Sequence, residues 1–472
     1  KSIQLPIQRI VGQLKFNEQG IFSDNLKAVV FEQPVKVTID NKAHSTVINA
    51  TGTADIAAID KHFRLPFDRF AQGSFNYQLQ LNLPDDRLSQ AASSNHPTDN
   101  RYELRIDSDL TGLNLKLPGA LKKDYLTPKN LHLVFNLDEA DQLPIQIDYA
   151  KQLAAYLRVN TNDRKITAGH IRIGDELTLK PTETGVKLDI AQPELDLQEW
   201  LGFAGGDSDD QLLTQISLYS PHTRFASTAL DDFRIDLLFK ETHWQGEITS
   251  SFAKGHVSVP QKLNTEAIRF TLKELNLSAP HAIEPKAANA IALNPTSNAN
   301  PKDLPLFKLT SSKTLWQGLD LGMLAIETEY ANNGIRFKDI TLNSVATQLA
   351  LTADWLEHQN TTQTQLNGNI TLHNAGSLLT QLGVPNDLVE TGLTAAIKLN
   401  WPGSPTDFAI AQAQGDIGIE FDDGRILSIE PGFGRILGVL AMAQWQKRMQ
   451  LDFRDLYEQG LTFNSIKGNF NV

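Results

Sequence analysis

Apolar and polar residues alternate along most of this chain. Tyr77–Leu83 reads Tyr-Gln-Leu-Gln-Leu-Asn-Leu, and the same spacing recurs at Val186–Ile190, Ile397–Leu399, Ile417–Phe421 and Met449–Phe453. A period of two places the apolar side chains on one face of a strand and the polar ones on the other. The pattern predicts a mainly β protein built from antiparallel sheet with one wetted face.

Helical periodicity is rare and short. Three amphipathic groups have helical spacing, and Asp196 and Ser377 stand where the second and third would need an N-cap. The longest candidate is Gly432–Gln446, whose apolar surface is wider than one stripe. The three groups are Ile56, Ile59 and Phe63; Leu197, Trp200 and Leu201; and Leu378, Leu379 and Leu382. Between the strands, Asn332-Asn-Gly334 and Asp422-Asp-Gly424 have the composition of turns.

Two segments lack any period. Residues 87–100 are small and polar, and residues 280–305 are rich in Ala, Asn and Pro. Such composition predicts a mobile loop and a flexible linker, respectively. We therefore expect β repeats over 1–279, a linker over 280–305 and a second β region over 306–472.

A long, imperfect repeat is also visible. Pro66–Gly73 precedes a strand that ends Leu-Asn-Leu-Pro84, and Pro385–Gly392 precedes one that ends Leu-Asn-Trp-Pro402. A short amphipathic helix comes before each, and Leu201-Gly-Phe203 resembles a third copy. Repeats of this kind stack along one direction and bury a continuous core between neighbours.

Composition narrows the classes of partner. The net charge of −12 disfavours nucleic acid, because such a surface repels phosphate backbones. The chain has no cysteine, which excludes disulfides and thiolate metal sites and suits an oxidising compartment such as the periplasm. No stretch of 18 apolar residues occurs, and both ends read as mid-strand sequence, so we expect a fragment of a longer protein.

Catalytic motifs are not found. The eleven His residues are scattered, and neither a nucleophile elbow nor a phosphate loop occurs. Gly432–Gly438 is closest to a phosphate-binding turn, but its spacing fits a tight strand-to-helix turn better. The acidic run Asp207–Asp210 lacks the closing Glu of a calcium loop. We expect neither an enzyme nor a bound cofactor or metal.

The apolar face itself remains to be explained. The helices are too few to cover so many strands. Either two sheets close on each other as a sandwich, or a curved sheet leaves a long apolar trough. An open trough needs a ligand, because soluble monomers rarely expose large apolar patches. Periodicity alone does not decide between the two.

The C-terminal third carries a resemblance. Trp401–Pro405, Asp423–Gly438, Leu451–Asp455 and Gly460–Phe463 resemble, in order, the C-terminal region of the large AsmA-like proteins of Gram-negative bacteria, the YhdP type. The likeness is strong from about Leu304 onward and diffuse before it.

This resemblance implies elongated, curved antiparallel β-sheet repeats that form a hydrophobic groove. It also implies a monomer that lies in the periplasm, is anchored in the inner membrane through a segment outside this chain, and moves phospholipid towards the outer membrane. Acyl chains would lie along the apolar face. Two alternatives stay open: assembly of outer-membrane proteins through β-strand contacts, and a β-sandwich module that binds no lipid.

The expected lipid-lining residues come from the alternating strands, and the expected gate from the long helix. The lining set is Leu79, Leu81, Ile397, Leu399, Ile417, Ile419, Phe421, Leu451, Phe453 and Phe463. The gate set is Phe433, Arg435, Ile436, Leu437 and Leu440.

Overall fold

Antiparallel strands dominate the computed structural model, as the alternation predicts. The described residues are 7–18, 20–42, 45–63, 67–84, 101–174, 179, 184–204, 212–225, 228–263, 266–277, 300–302, 304–359, 361–381, 388–427 and 461–472. The chain divides into two compact units. Unit 1 contains Lys1–Phe225 and Asp232–Phe239, and unit 2 contains Ala226–Asp231 and Lys240–Val472.

Unit 1 holds the first fifteen strands, and β16 (Thr228–Lys240) has residues in both units. The strands are β1 (Ile7–Val11), β2 (Lys15–Asn17), β3 (Gly20–Val30), β4 (Gln33–Lys42), β5 (Ser45–Asp55), β6 (Ala71–Pro84), β7 (Glu103–Ser108), β8 (Leu113–Leu115), β9 (Leu131–Asn136), β10 (Gln142–Tyr149), β11 (Leu153–Asn160), β12 (Ile166–Gly174), β13 (Gly185–Ala191), β14 (Glu194–Asp196) and β15 (Leu213–Phe225).

Unit 2, described by itself, is also built from strands. Its strands are β17 (His243–Thr249), β18 (Ala253–Pro260), β19 (Ile268–Asn276), β20 (Phe307–Trp316), β21 (Leu319–Ala331), β22 (Gly334–Asn343), β23 (Thr347–His358), β24 (Thr361–Leu372), β25 (Leu388–Val389), β26 (Gly392–Pro402), β27 (Gln414–Ile426) and β28 (Leu461–Asn471).

The three predicted short helices are confirmed. They are α1 (Ile56–Phe63), α2 (Leu197–Ala204) and α3 (Ala375–Gln381), beside the single-turn 3-10 helices Phe67–Arg69, Gly119–Leu121 and Pro405–Asp407. The expected cap of α2 is also present, because Asp196 Oδ1 accepts the backbone N–H of Gln198 at 3.1 Å. The expected cap of α3 is wrong: the helix begins before Ser377, and Asn374 Oδ1 accepts the Ser377 N–H at 2.9 Å.

The first two copies of the repeat share one topology. Helix α1 connects β5 to β6, and α3 lies between β24 and β26; each pair of strands is antiparallel over its length. The third copy differs, because α2 lies between β14 and β15, which pair in parallel.

Not all pairs are antiparallel. Strands β12, β13 and β15 pair in parallel in unit 1, as do β19 and β20 in unit 2. Two parallel neighbours start at the same end of the sheet. The connection from the end of one strand to the start of the next must therefore span the length of a strand. The predicted linker, residues 280–305, lies in sequence between β19 and β20, and its residues 280–299 and 303 are outside the described residues.

The turn expected at Asp422-Asp-Gly424 is wrong. These residues lie inside β27, where Asp423 has a φ of 35°. The register of β27 against β28 is the same on both sides of Asp423, since Asp422 lies opposite Ser465 and Gly424 opposite Phe463, so the strand continues where a turn was expected. The other predicted turn, Asn332-Asn-Gly334, does connect β21 to β22.

Candidate functional site

One face of unit 1 is lined by continuous rows of apolar side chains. Residues directly opposite each other on paired strands project from the same face, so the strand register defines each row. The first row crosses eleven strands: Leu26, Val37, Ala50, Leu79, Ile106, Leu133, Ile147, Ala155, Ile171, Leu188 and Ile216.

A second row runs beside it, two residues away on most strands and three residues away on β3 and β15, where the register shifts. It consists of Ser23, Ile39, Ile48, Leu81, Leu104, Phe135, Ile145, Leu157, Gly169, Val186 and Leu213. Ser23 alone in this row is polar, and its hydroxyl donates to the Gln13 carbonyl at 2.7 Å. The row therefore stays apolar across the unit.

Unit 2 has the same construction. Its first row is Gly246, Val257, Phe270, Leu309, Ile326, Ile340, Leu351, Gly368, Ile397, Ile417 and Phe470. Its second row is Ile248, Gly255, Leu272, Ser311, Leu324, Leu342, Leu349, Ile370, Ala395, Ile419 and Gly468. We call these surfaces the apolar faces of units 1 and 2.

Most side chains in the rows are only half-buried. Leu79 and Leu81 in unit 1, and Ile397, Ile417 and Ile419 in unit 2, keep part of their surface accessible. The central apolar positions of a closed sandwich would be fully buried against the opposing sheet. The apolar faces thus have the exposure expected of a surface that can accept a ligand.

The opposite face of unit 2 is polar and ion-paired. Glu327 receives hydrogen bonds from Lys338 at 2.7 Å and Lys308 at 3.1 Å, and these bonds lower the pKa of Glu327 below its usual range. One strand further on, Arg336 pairs with Asp354 at 2.6 Å. Exposed pairs of this kind contribute little stability, but they keep this face hydrated and distinguish it from the apolar one.

One end of the apolar face is closed in each unit. In unit 1 the closure is made by residues between β7 and β9, where Tyr149 Oη donates to the Leu121 carbonyl at 2.9 Å. In unit 2, Trp355 and Trp401 are buried at the strand ends, and the Trp401 ring packs edge-on against Phe408 at 5.0 Å. Trp401 Nε1 donates to the Ser404 carbonyl at 2.9 Å, which fixes this loop.

The described lipid-lining residues lie on strands of both units. Leu79 and Leu81 stand side by side in the rows of unit 1, and Ile397, Ile417 and Ile419 in those of unit 2. Three others lie outside the rows. Leu399 is buried opposite Leu366, Phe421 faces Leu393 and Ile466, and Phe463 stands opposite Gly424. Their role in lipid binding remains a prediction.

The remaining predicted positions are outside the described residues. They are Leu451 and Phe453 of the lining set and the whole gate set, Phe433, Arg435, Ile436, Leu437 and Leu440. The gate stays a prediction from sequence.

Many row residues were missed at the level of sequence. Examples are Leu133, Ile147 and Ile171 in unit 1, and Leu309 and Ile340 in unit 2. Leu133 is followed by an apolar residue on the polar face, Val134, and two polar residues, Lys338 and Asp339, interrupt the alternation before Ile340. The signal that would have found them is the pairing register, which one sequence does not contain.

Two kinds of feature are not found in the part of the chain that the structure describes, metal sites and membrane-spanning helices. No group of three or more His, Cys, Asp or Glu residues is placed to hold a metal ion there. Within the same residues, no helix is both long and apolar enough to cross a membrane.

Comparison with known proteins identifies the family to which the chain belongs. The model of the family described as YhdP protein matches residues 1–472. The chain belongs to the YhdP family. This confirms the resemblance expected from Trp401–Pro405 and the motifs that follow it.

One relative is the intermembrane phospholipid transporter YhdP of Escherichia coli (strain K12). It is 20% identical over 494 residues, an alignment that covers 99% of this chain and 37% of the relative. The chain therefore spans about 37% of the length of the relative it matches. No solved structure matches the chain.

Proposed function

We propose that this chain binds phospholipid acyl chains along its apolar faces and forms part of a route for phospholipid between two membranes. The observation that carries the proposal is the pair of rows that crosses each unit, in which Ser23 and Ser311 are the polar residues and most side chains remain half-exposed. The transporter named among its relatives supports the class of cargo.

The dimensions suit acyl chains. A row crosses ten steps between neighbouring strands, which at about 4.8 Å each makes roughly 48 Å. The hydrocarbon core of a bilayer is about 30 Å thick, so one acyl chain extends about 15 Å. Each apolar face has room for several lipids in sequence.

The composition of the rows suits movement. Leu, Ile, Val, Phe and Ala make non-directional contacts that are worth about 0.8 kcal/mol for each buried methylene. Such contacts hold two acyl chains firmly. They also change little from one strand to the next, so a lipid can pass along the row without a deep minimum. No covalent chemistry is needed for this role.

The proposal extends to location. We place the chain in the periplasm of a Gram-negative cell, within a longer protein that reaches the inner and outer membranes through other segments. Its phospholipid partner would enter and leave through those segments, and no cofactor is required.

The test is a charge placed on the apolar face. Ile419 lies in the second row of unit 2, half-buried between Ala395 and Gly468. An unpaired carboxylate there costs several kcal/mol when a lipid removes its water. We expect Ile419→Asp to retain much less phospholipid than the parent after purification, as measured by lipid mass spectrometry.

Ala396→Asp is the matched control. Ala396 is exposed on the polar face of the same sheet, opposite Asn369 and Gly418. This variant should retain as much phospholipid as the parent. Equal retention by both variants would refute the lipid path on this face. Unfolding of Ile419→Asp alone would favour a closed core, and bound peptide in place of lipid would favour the assembly role.

A further inference from the structure

The closed end of unit 1 is formed by a fixed segment, Asp109–Lys129, which we call the cap. Its strand β8 pairs with Ala71–Gly73 of β6. Lys123 is buried within the cap, where its ammonium donates to the carbonyls of Leu113 at 2.7 Å and Asp124 at 2.8 Å. At its far end the Lys129 N–H donates to the Asp109 carbonyl at 2.8 Å. These bonds join the two ends of the cap and hold it as one body.

The cap seals one side of the apolar face. It contributes four buried leucines, Leu110, Leu113, Leu115 and Leu121. The sheet residues at this end are buried as well: Tyr149 is 5% exposed, and Ile173 and Ile190 are each 4% exposed. Since Tyr149 is bonded directly to Leu121, the cap closes this end of the strands to water.

The other end of the same strands is open and charged. Leu143, Val159 and Ile166 face each other across β10, β11 and β12, and all three are half-exposed. The hairpins at this end, between β9 and β10 and between β11 and β12, carry exposed charges of both signs, acidic at Asp138, Glu139, Asp141 and Asp163 and basic at Arg164 and Lys165.

The distance between the two ends matches one lipid. From Leu153, opposite Tyr149, to Val159 is six residues along β11, or about 20 Å at 3.3 Å per residue. An acyl chain of about 15 Å that starts among the charged hairpins would therefore end within about 5 Å of Leu153, beside the cap. A zwitterionic head group is complementary to a rim that carries both signs of charge.

We propose that the cap orients phospholipids in unit 1, with the acyl termini against the cap and the head groups at the hairpins that contain Asp138–Asp141 and Arg164–Lys165. This inference rests on the proposed function, and it adds a direction across the sheet that the apolar rows alone do not define.

Fluorescence quenching tests the orientation. The chain has no native cysteine, so Leu153→Cys and Val159→Cys can each be labelled with bimane alone. Both positions are half-buried on the same face of β11, which makes them a matched pair. The labelled proteins are loaded from vesicles of phosphatidylcholine, either brominated near the chain ends or spin-labelled on the head group.

Chain-end bromines should quench the label at 153 several-fold more than the label at 159, and the head-group spin label should give the opposite order. Circular dichroism confirms that both labelled proteins keep the parent fold. Equal quenching at the two positions, or the reverse order, would overturn the orientation while leaving lipid binding intact. Absence of quenching at both positions with both lipids would overturn the proposed function and the orientation with it.

Discussion

At the scale of residues, the period of two was enough to identify which side chains share a face. Leu79 and Leu81, or Ile417 and Ile419, were predicted together and do project from one face. Glycine was harder to interpret. Gly368 stands in the first row of unit 2, between Leu351 and Ile397, where the pattern favours a large apolar residue. Glycine is required there because the backbone of a neighbouring strand approaches closely. The local sequence does not reveal this approach.

Gly368 should resist substitution. It has a φ of +149°, and an added Cβ would lie 2.2 Å from the Ala350 carbonyl oxygen. We expect Gly368→Ala to lower the free energy of unfolding by about 2 kcal/mol, since both the conformation and the space exclude a side chain. The change is measured as a shift of the urea midpoint at constant slope.

Gly392→Ala provides the comparison for that substitution. A Cβ at Gly392 would meet no atom closer than 3.6 Å. Its effect should stay within about 1 kcal/mol in either direction. Equal destabilisation by the two variants would show that the close approach to the Ala350 carbonyl does not decide the cost.

At the scale of elements, the three short helices were predictable, but the N-cap residue of one of them was not. Asp196 was identified because it directly precedes the apolar group of α2. For α3 the apolar group starts at Leu378, so Ser377 was the nearest candidate, but the small residues Ala375 and Gly376 extend the helix backwards to Asn374. Small residues carry no amphipathic signal, which is why helix starts are hard to predict from periodicity.

The N-cap residue of α3 gives a second prediction. Asn374→Ala removes the acceptor for the Ser377 N–H and should destabilise the protein locally by about 1 kcal/mol. Hydrogen exchange of the amides in Ala375–Gln381 is the measurement. Ser377→Ala tests the position expected from sequence, and it should raise that exchange less than Asn374→Ala does. A larger effect from Ser377→Ala would restore the cap expected from sequence.

The closure of unit 1 gives a third prediction, which concerns alkaline pH. Burial raises the pKa of Tyr149 to about 12 from its ordinary value of 10.0. A raised folded pKa means that the stabilisation is complete below pH 10 and is lost as the pH rises from 10 towards 12. The parent protein should therefore lose stability in this window, while Tyr149→Phe should lose less.

Two measurements check the tyrosine. Tyrosinate absorbance follows the titration, and urea unfolding at pH 9 and pH 11 gives the change in stability. Below pH 10, Tyr149→Phe should cost about 1 kcal/mol, because the Leu121 carbonyl loses its donor. An identical alkaline loss in parent and variant would show that another group titrates there.

At the scale of the whole molecule, the sequence predicted a β protein with stacked repeats but not its parallel pairs. Strands β19 and β20 are adjacent in the sheet, although Asn276 and Phe307 are far apart in sequence. Neither strand has the long apolar run that usually marks parallel sheet. The pairing is a long-range property, and the segment between the strands gave only the signal of a linker.

The pairing of β19 with β20 leads to the last prediction, which concerns cleavage of the chain within residues 280–305. A recognition site for a specific protease placed between Ala288 and Asn289 would allow cleavage there. The described residues on either side remain joined by the register from Ile268 opposite Phe307 to Asn276 opposite Leu315. They also share a core, to which Leu272 and Leu275 contribute from before the cut and Leu324 and Leu342 from after it.

We therefore expect the cleaved halves to elute together in native size-exclusion chromatography and to separate in urea. Leu324→Asp supplies the control, because a carboxylate in this core should weaken the contact by several kcal/mol. With this substitution the cleaved halves should separate in native buffer, while the uncut chain keeps them tethered. If the cleaved parent separates without urea, residues 280–305 divide two independent domains, as the composition of that segment alone would suggest.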